Sequence, residues 1–302
     1  MQDSLTKIKF IILLFYYWGQ AIFTHFIPRR LRFKKIDEEI VLITGAGSGL
    51  GRILATKLSK SVSHLILWDL NEIGLNETAK LVREEGGSCS TYVVDVSNRH
   101  MVYETADRMS KEVGAVSMVI NNAGIVNGKE LLQLPNDKIV KTFEVNVLAH
   151  YWICKAFIPN MMKKNKGHIV TISSVVGFFG ASNLSDYAGS KYAATRFHEC
   201  LQLELLDAGY DGINFTLVCP YFMNTKMFEG AKALILSNQK VEYVADEIIA
   251  AIRTNQTHLY LPKPFYIIHT IKSLLPTRSL YALNTAMGGR KAMSDFVGGL
   301  RK

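Results

Sequence analysis

The chain has 302 residues, 35 Lys and Arg against 26 Asp and Glu, and 48% hydrophobic residues. This excludes a disordered chain, and 22 Gly with 7 Pro exclude a collagen-like or linker-rich one. The net charge of +9 raises the question of nucleic acid, but residues 1–40 carry net +3, residues 263–302 net +6, and the stretch between is neutral. A nucleic-acid enzyme carries its basic stripe on the folded domain. Basic ends beside apolar segments instead favour an anionic membrane surface, so no nucleic-acid partner is expected.

Four cysteines (Cys89, Cys154, Cys200 and Cys219) show no C-x-x-C spacing. They read as core cysteines of a reducing compartment, with neither a disulfide framework nor a metal signature.

Phe10 to Ile27 is an uncharged run of 18 residues, 14 of them apolar. That is just long enough to span a bilayer, which takes about 17–25 residues. Tyr16, Tyr17 and Trp18 lie mid-segment, and Gln20, Thr24 and His25 weaken its second half. A transmembrane helix, an interfacial or re-entrant anchor, and a buried core helix are the three readings. Pro28-Arg29-Arg30 follows where a cleaved signal peptide would show small residues. The basic junction through Lys35 outweighs Lys7 and Lys9, which puts the rest of the chain on the cytosolic side. We therefore read 1–39 as a hydrophobic anchor with a basic junction.

From residue 40 short apolar runs alternate with longer amphipathic ones. Ile40–Thr44, His64–Asp69, Thr91–Asp95, Val116–Asn121, His168–Ser173, Ile213–Cys219 and His258–Leu261 read as strands. Leu50–Ser59, Arg99–Val113, Asn136–Lys164, Tyr187–Ala208 and Val241–Asn255 read as helices. Strict alternation argues for an α/β domain over 40–262, a doubly wound parallel sheet of about seven strands covered on both faces. In the tail, 263–302, apolar residues between Pro264 and Pro276 are too few to span a bilayer. They fit a lid over a greasy pocket, a second membrane contact, or a surface helix packed on the domain.

The first strand runs into Thr44-Gly45-Ala46-Gly47-Ser48-Gly49-Leu50-Gly51 and then a helix. Glycines allow the tight turn and close approach to a pyrophosphate, and the helix N-terminus offers free N–H groups and a positive dipole. The strand–loop–helix context is what makes such a match specific. Asp69 ends the second strand, where a carboxylate bonds the adenosine ribose hydroxyls and repels a 2′-phosphate. No Arg or Lys stands beside it in sequence, which favours NAD over NADP; the alternative is an Asp capping the next helix. Asp95 either meets the adenine edge or caps its own following helix.

Tyr187 and Lys191 stand at i and i+4 on one helix face. A neighbouring ammonium favours a phenolate, whose reference pKa near 10 is too high for a neutral-pH base. Asn121-Asn122-Ala123-Gly124, Asn146 and Ser173-Ser174 precede this pair, the last serine 13 residues before Tyr187. With these motifs in this order, residues 40–262 resemble the classical short-chain dehydrogenase/reductase family, whose sheet is Rossmann-like.

The resemblance implies roles. Tyr187 takes the proton of the substrate alcohol, Lys191 lowers its pKa and holds the nicotinamide ribose, and Ser174 bonds the substrate oxygen. Asn146 would hold a proton-relay water. Gly45, Ser48, Gly49, Leu50 and Gly51 would cradle the dinucleotide, and Asn122, Ala123 and Gly124 would line its adenosine side. Thr225, in the loop that opens with Pro220, would contact the carboxamide; Pro220-Tyr221 stands where the family usually has Pro-Gly.

The apolar ends look like the branch of lipid-droplet 17β-hydroxysteroid and microsomal retinol dehydrogenases. The expected activity is hydride transfer between NAD and a lipophilic alcohol or ketone (a retinoid, steroid or long-chain lipid alcohol). The enzyme would sit on the cytosolic face of endoplasmic reticulum or lipid droplets. Homodimerisation through the long helices is implied by the resemblance. The alternative is a non-catalytic membrane or droplet scaffold that keeps a dinucleotide fold.

Overall fold

A computed structural model describes residues 2–231, 237–272, 274–286 and 293–297. The chain divides into two compact units, Met1–Lys35 and Ile36–Lys302.

The first unit is helix α1, Gln2–Phe26, followed by a 3₁₀ turn at Arg29–Arg32. Every side chain from Lys7 to Gln20 is exposed, so this is no core helix. Among the described residues no helix is long and apolar enough to cross a membrane. This corrects the transmembrane reading. At 25 residues the length suffices, but Lys7 and Lys9 and the polar groups of Tyr16, Tyr17, Trp18, Gln20 and Thr24 dilute the run.

The second unit holds seven parallel strands: β1 Ile40–Thr44, β2 His64–Asp69, β3 Cys89–Val93, β4 Met118–Asn121, β5 Gly167–Ile172, β6 Ile213–Pro220 and β7 His258–Leu261. Their order is β3-β2-β1-β4-β5-β6-β7. Successive side chains on a strand point to opposite faces, and here both faces are buried. Val41 and Ile43 enter one core with Leu65, Leu67, Met118 and Ile120. Leu42 enters the other with Ile66, Trp68 and Val119. The strands are therefore continuously apolar rather than alternating.

Helices α2 (Gly49–Leu58), α3 (Glu72–Glu84) and α8 (Val241–Arg253) cover the first core. Of helices α4 (Arg99–Glu112), α5 (Asn136–Phe143), α6 (Ala149–Lys164) and α7 (Ser185–Asp207), α4, α6 and α7 contribute to the second core. Asn71 caps α3 by accepting from Gly74 N–H, and Asn98 caps α4 by accepting from His100 and Met101 N–H. Asp69 and Asp95 cap neither helix.

Three sequence expectations shift. The third strand is Cys89–Val93, shifted two residues early at both ends, because only Tyr92 of it is buried and its apolar signal is weak. Helix α3 was not singled out. The long helix read over 136–164 is two helices joined by a π-helical turn, Glu144–Leu148, a local widening that is frequent at functional sites. Two further helices, α9 (Phe265–Lys272) and α10 (Thr277–Ala286), follow β7.

Candidate active site

The strand order reverses between β1 and β4, and open sheets bind ligands in the crevice at such a point. A cavity of about 910 Å³ opens there. It runs from Asp69 and Asn71 past the glycine loop and Asn122–Gly124 to Ser174, Tyr187 and Lys191.

The loop after β1 turns on Gly45 (φ 65°) and Gly49 (φ 51°), both in the left-handed region. A Cβ on Gly51 would lie 2.1 Å from Gly45 O and 2.7 Å from Asn122 Nδ2. Asn122 clamps this approach from β4, its Nδ2 donating to Thr44 O (2.9 Å) and Gly45 O (3.1 Å). Asn122 and Ala123 N–H both donate to Thr44 Oγ1, at 3.0 and 3.1 Å. Ser48 stands at the N-cap of α2 with no side-chain bond to the helix, and Leu50 is buried against the first core. Thr225 lies over the loop: a Cβ on Gly49 would be 3.7 Å from its methyl group.

At the far end Asp69 accepts from Gly47 N–H (2.8 Å) and Asn71 N–H (2.9 Å). Asp95 accepts from Ser97 and from Lys141 Nζ (3.2 Å). Burial pushes its pKa up, but the bonds from Ser97 and Lys141 outweigh that and hold the carboxyl below its ordinary value. Sequence reasoning missed three cations that line the cavity, Arg52, Lys141 and Lys226. Arg52 is one residue beyond the glycine motif, so inspecting only the neighbours of Asp69 did not find it.

The glycine loop, the helix N-terminus and the Asp69 carboxylate together fit a dinucleotide. Added side chains at Gly45, Gly47 or Gly51 would meet Ala123, Asp69 or the loop's own backbone within 3 Å.

At the other end Tyr187 is buried, with the Ser174 hydroxyl beside its phenol. Burial pushes the phenol pKa above its ordinary value, and the neighbouring Ser174 hydroxyl pulls it part of the way back. Lys191 Nζ sits 5.7 Å from the Tyr187 ring centroid and donates to Ile172 O (2.8 Å). Burial lowers its pKa to about 8, against a smaller upward effect from Cys219. Ser174 Oγ also donates to Pro220 O (3.2 Å), which ties the site to the end of β6. Ser173, by contrast, is taken up by Lys191 O (2.9 Å) and Thr195 (2.8 Å).

Asn146 lies in the π turn, fully buried. Its Oδ1 accepts from Ile125 N–H (2.8 Å), and its Nδ2 donates to Ile125 O (3.0 Å) and Ser190 Oγ (3.0 Å). Both amide hydrogens are thereby used, leaving one lone pair on Oδ1 for any water. A Cβ on Gly124 would be 3.3 Å from that oxygen and 3.4 Å from Lys191 Nζ, so the glycine keeps the space between them open. Asp186, next to Tyr187, accepts from Asn127 (2.7 Å) and Thr142 (3.1 Å) and so anchors the start of α7. No sequence signal pointed to that anchor.

Beyond Tyr187 the surroundings turn aromatic. Its ring meets Phe228 edge-on at 5.9 Å, Phe228 meets Phe222 at 5.3 Å, and Phe222 meets Tyr221 at 4.8 Å. Phe265, Met293 and Phe296 from the tail join the same cluster. Val297 N–H donates to Glu229 O (3.0 Å), which fixes the tail to the loop after β6.

The sequence model of the short chain dehydrogenase family matches residues 39–234. Epidermal retinol dehydrogenase 2 of Mus musculus is 43% identical over 287 residues, covering 94% of this chain and 92% of the relative. The 17-beta-hydroxysteroid dehydrogenase 13 of Homo sapiens is 40% identical over 284 residues, covering 94% of each. Among solved structures, a short chain dehydrogenase/reductase from Burkholderia phymatum in complex with NAD superposes with a TM-score of 0.72 at 26% identity, covering 80% of this chain and 96% of that one. With its glycine loop, its Ser174–Tyr187–Lys191 cluster and these relatives, the chain belongs to the short-chain dehydrogenase/reductase family and is an oxidoreductase.

Proposed function

We propose that the protein is an NAD-dependent dehydrogenase of a lipophilic alcohol or ketone, of the retinoid, steroid or long-chain lipid class. The observation that carries this reading is the Tyr187 phenol: it lies between Ser174 on one side and an aromatic wall headed by Phe228 on the other. A relative named as a retinol dehydrogenase and another named as a hydroxysteroid dehydrogenase support the substrate class.

The nicotinamide dinucleotide, when bound, supplies the hydride acceptor or donor. Gly45, Ser48, Gly49, Leu50 and Gly51 would hold its phosphates, Asp69 its adenosine ribose, Asp95 and Asn122–Gly124 its adenosine side, and Pro220 and Thr225 its nicotinamide end. Ser174 orients the substrate oxygen. Tyr187 exchanges a proton with that oxygen, giving it in reduction and taking it in oxidation. Because burial raises the phenol pKa, the proton-donating form dominates at neutral pH, and oxidation should quicken as pH rises. The Lys191 ammonium beside the ring favours loss of that proton. A water between Asn146 Oδ1 and Lys191 Nζ, in the space Gly124 leaves, would carry the proton onward.

Asp69 favours NAD over NADP by its charge. The exposed apolar side chains of α1, with Arg29, Arg30 and Arg32 after it, support an interfacial anchor on the cytosolic face of endoplasmic reticulum or lipid droplets. Exposed Tyr151, Leu203 and Leu206 on α6 and α7 support a homodimer across those helices.

The test is nicotinamide reduction by the detergent-purified chain with retinol, estradiol or a long-chain alcohol. Tyr187→Phe should lower kcat by roughly 10²–10⁴ while NAD still binds. Unchanged turnover in that variant would overturn the assignment.

A further inference from the structure

Gly47 joins two opposite charges. Its N–H donates to Asp69 Oδ2 (2.8 Å), and its carbonyl accepts from the guanidinium of Arg52 (2.5 Å). Both side chains line the adenosine end of the cavity. Arg52 is held from the other side by Glu77, whose Oε2 accepts from the same nitrogen at 2.7 Å. Its Nε donates to Thr78 Oγ1 (3.1 Å). Among the described residues Nη1 has no hydrogen-bond partner, so the fork keeps unspent donors.

The place where an acidic residue greets a free ribose hydroxyl is also where a nearby Arg accommodates a 2′-phosphate. This chain has both groups within one glycine of each other. The Arg52–Glu77 pair is partly open to solvent, with side-chain exposures of 26% and 58%, and exposed pairs are weak. A doubly charged phosphate competes well for such a guanidinium through bidentate bonds.

We propose that Glu77 is a specificity-determining residue that keeps Arg52 from a 2′-phosphate, so that NAD selectivity rests on Glu77 as well as on Asp69. The proposal rests on the dinucleotide reading of this cavity and adds a residue from α3 to it. Asp69 repels the phosphate directly. Glu77 acts at one remove, by occupying the cation that would otherwise offset that repulsion. Removing Glu77 alone therefore shifts discrimination without touching the ribose contact.

The test uses the full chain in detergent and equilibrium calorimetry with two fragments, 5′-AMP and adenosine 2′,5′-bisphosphate. Glu77→Gln should raise affinity for the bisphosphate about fivefold, the size of a freed exposed ion pair, and leave 5′-AMP within about twofold. Glu77→Lys should raise it further, and the gain should shrink in high salt. Adding Arg52→Met to Glu77→Gln should abolish the gain, with 5′-AMP binding reporting that the loop is intact. Unchanged bisphosphate affinity in Glu77→Gln, or a gain that survives Arg52→Met, overturns the proposal while leaving the dinucleotide site standing. Failure of the wild-type chain to bind either fragment overturns the dinucleotide reading itself, and the proposal with it.

Discussion

The two ends of the cavity are built by different means. The dinucleotide end is made of backbone: glycines at 45, 49 and 51, N–H groups, and Asn122 and Thr44 bonding main chain to main chain. The substrate end is made of rings brought from distant places, Phe228 after β6, Phe265 after β7 and Phe296 near the C-terminus. The first has close-packed geometry with little room for change. The second is a hydrophobic wall whose parts can be exchanged for others of similar volume. In the function proposed above, the first end would hold the dinucleotide and the second would meet the substrate.

The sharpest way to break this contrast is Gly51→Ala. A Cβ 2.1 Å from Gly45 O must displace the loop, and a shift of about 1 Å costs on the order of 10²-fold in turnover. Dinucleotide affinity should fall with it, while the fold, read by circular dichroism, persists. A variant that binds and turns over normally would show the loop to be more compliant than its packing implies.

A second effect separates the site from the sheet beneath it. His150 and His198 are buried, and their pKa values fall to about 3, mainly through burial, with Lys191 and His198 adding to the first and His258 to the second. The unfolded chain binds these protons near pH 6.5 and the folded chain does not. The stability that follows is complete above about pH 6.5 and is lost as pH falls towards 3. By pH 4 each histidine should cost about 3 kcal/mol. Denaturant unfolding across this range should show a loss that His150→Gln or His198→Gln reduces.

The smallest effect tests the substrate end. Phe296→Ala should raise KM for a retinoid or steroid about tenfold, near 1.4 kcal/mol, and leave NAD affinity unchanged. Equal losses on both sides would mean that the tail supports the whole cavity rather than its lipophilic end.

The same contrast decides what could be read in advance. The strands at 40–44, 64–69 and 258–261 have the bounds their apolar runs suggest, because burial on both faces leaves an unbroken signal. The glycine loop and the Ser174, Tyr187 and Lys191 positions follow local spacing, and the cavity brings them together. Arg52 and Glu77 escaped because their pairing joins two helices, and nothing local marks it. The π turn escaped because no glycine or other breaker interrupts the chain between the two helices it joins. The tail's Met293 and Phe296 join a cluster assembled from segments far apart in the chain, from Val126 to Phe265. The N-terminal run misled in the other direction: its apolar count was high, yet its interior aromatics and polar groups fall short of a span.

The π turn at Glu144–Leu148 also acts as a phase shift. One extra residue in an α-helix advances every later side chain by about 100° around the axis. Upstream of it Lys141 lines the cavity, and within it Val145 does so; downstream, Ile153, Phe157 and Met161 enter the second core. Deleting a single residue within the turn would restore a straight helix and rotate that second set away from the core. The insertion is therefore what keeps the downstream residues on the core while Lys141 and Val145 reach the cavity.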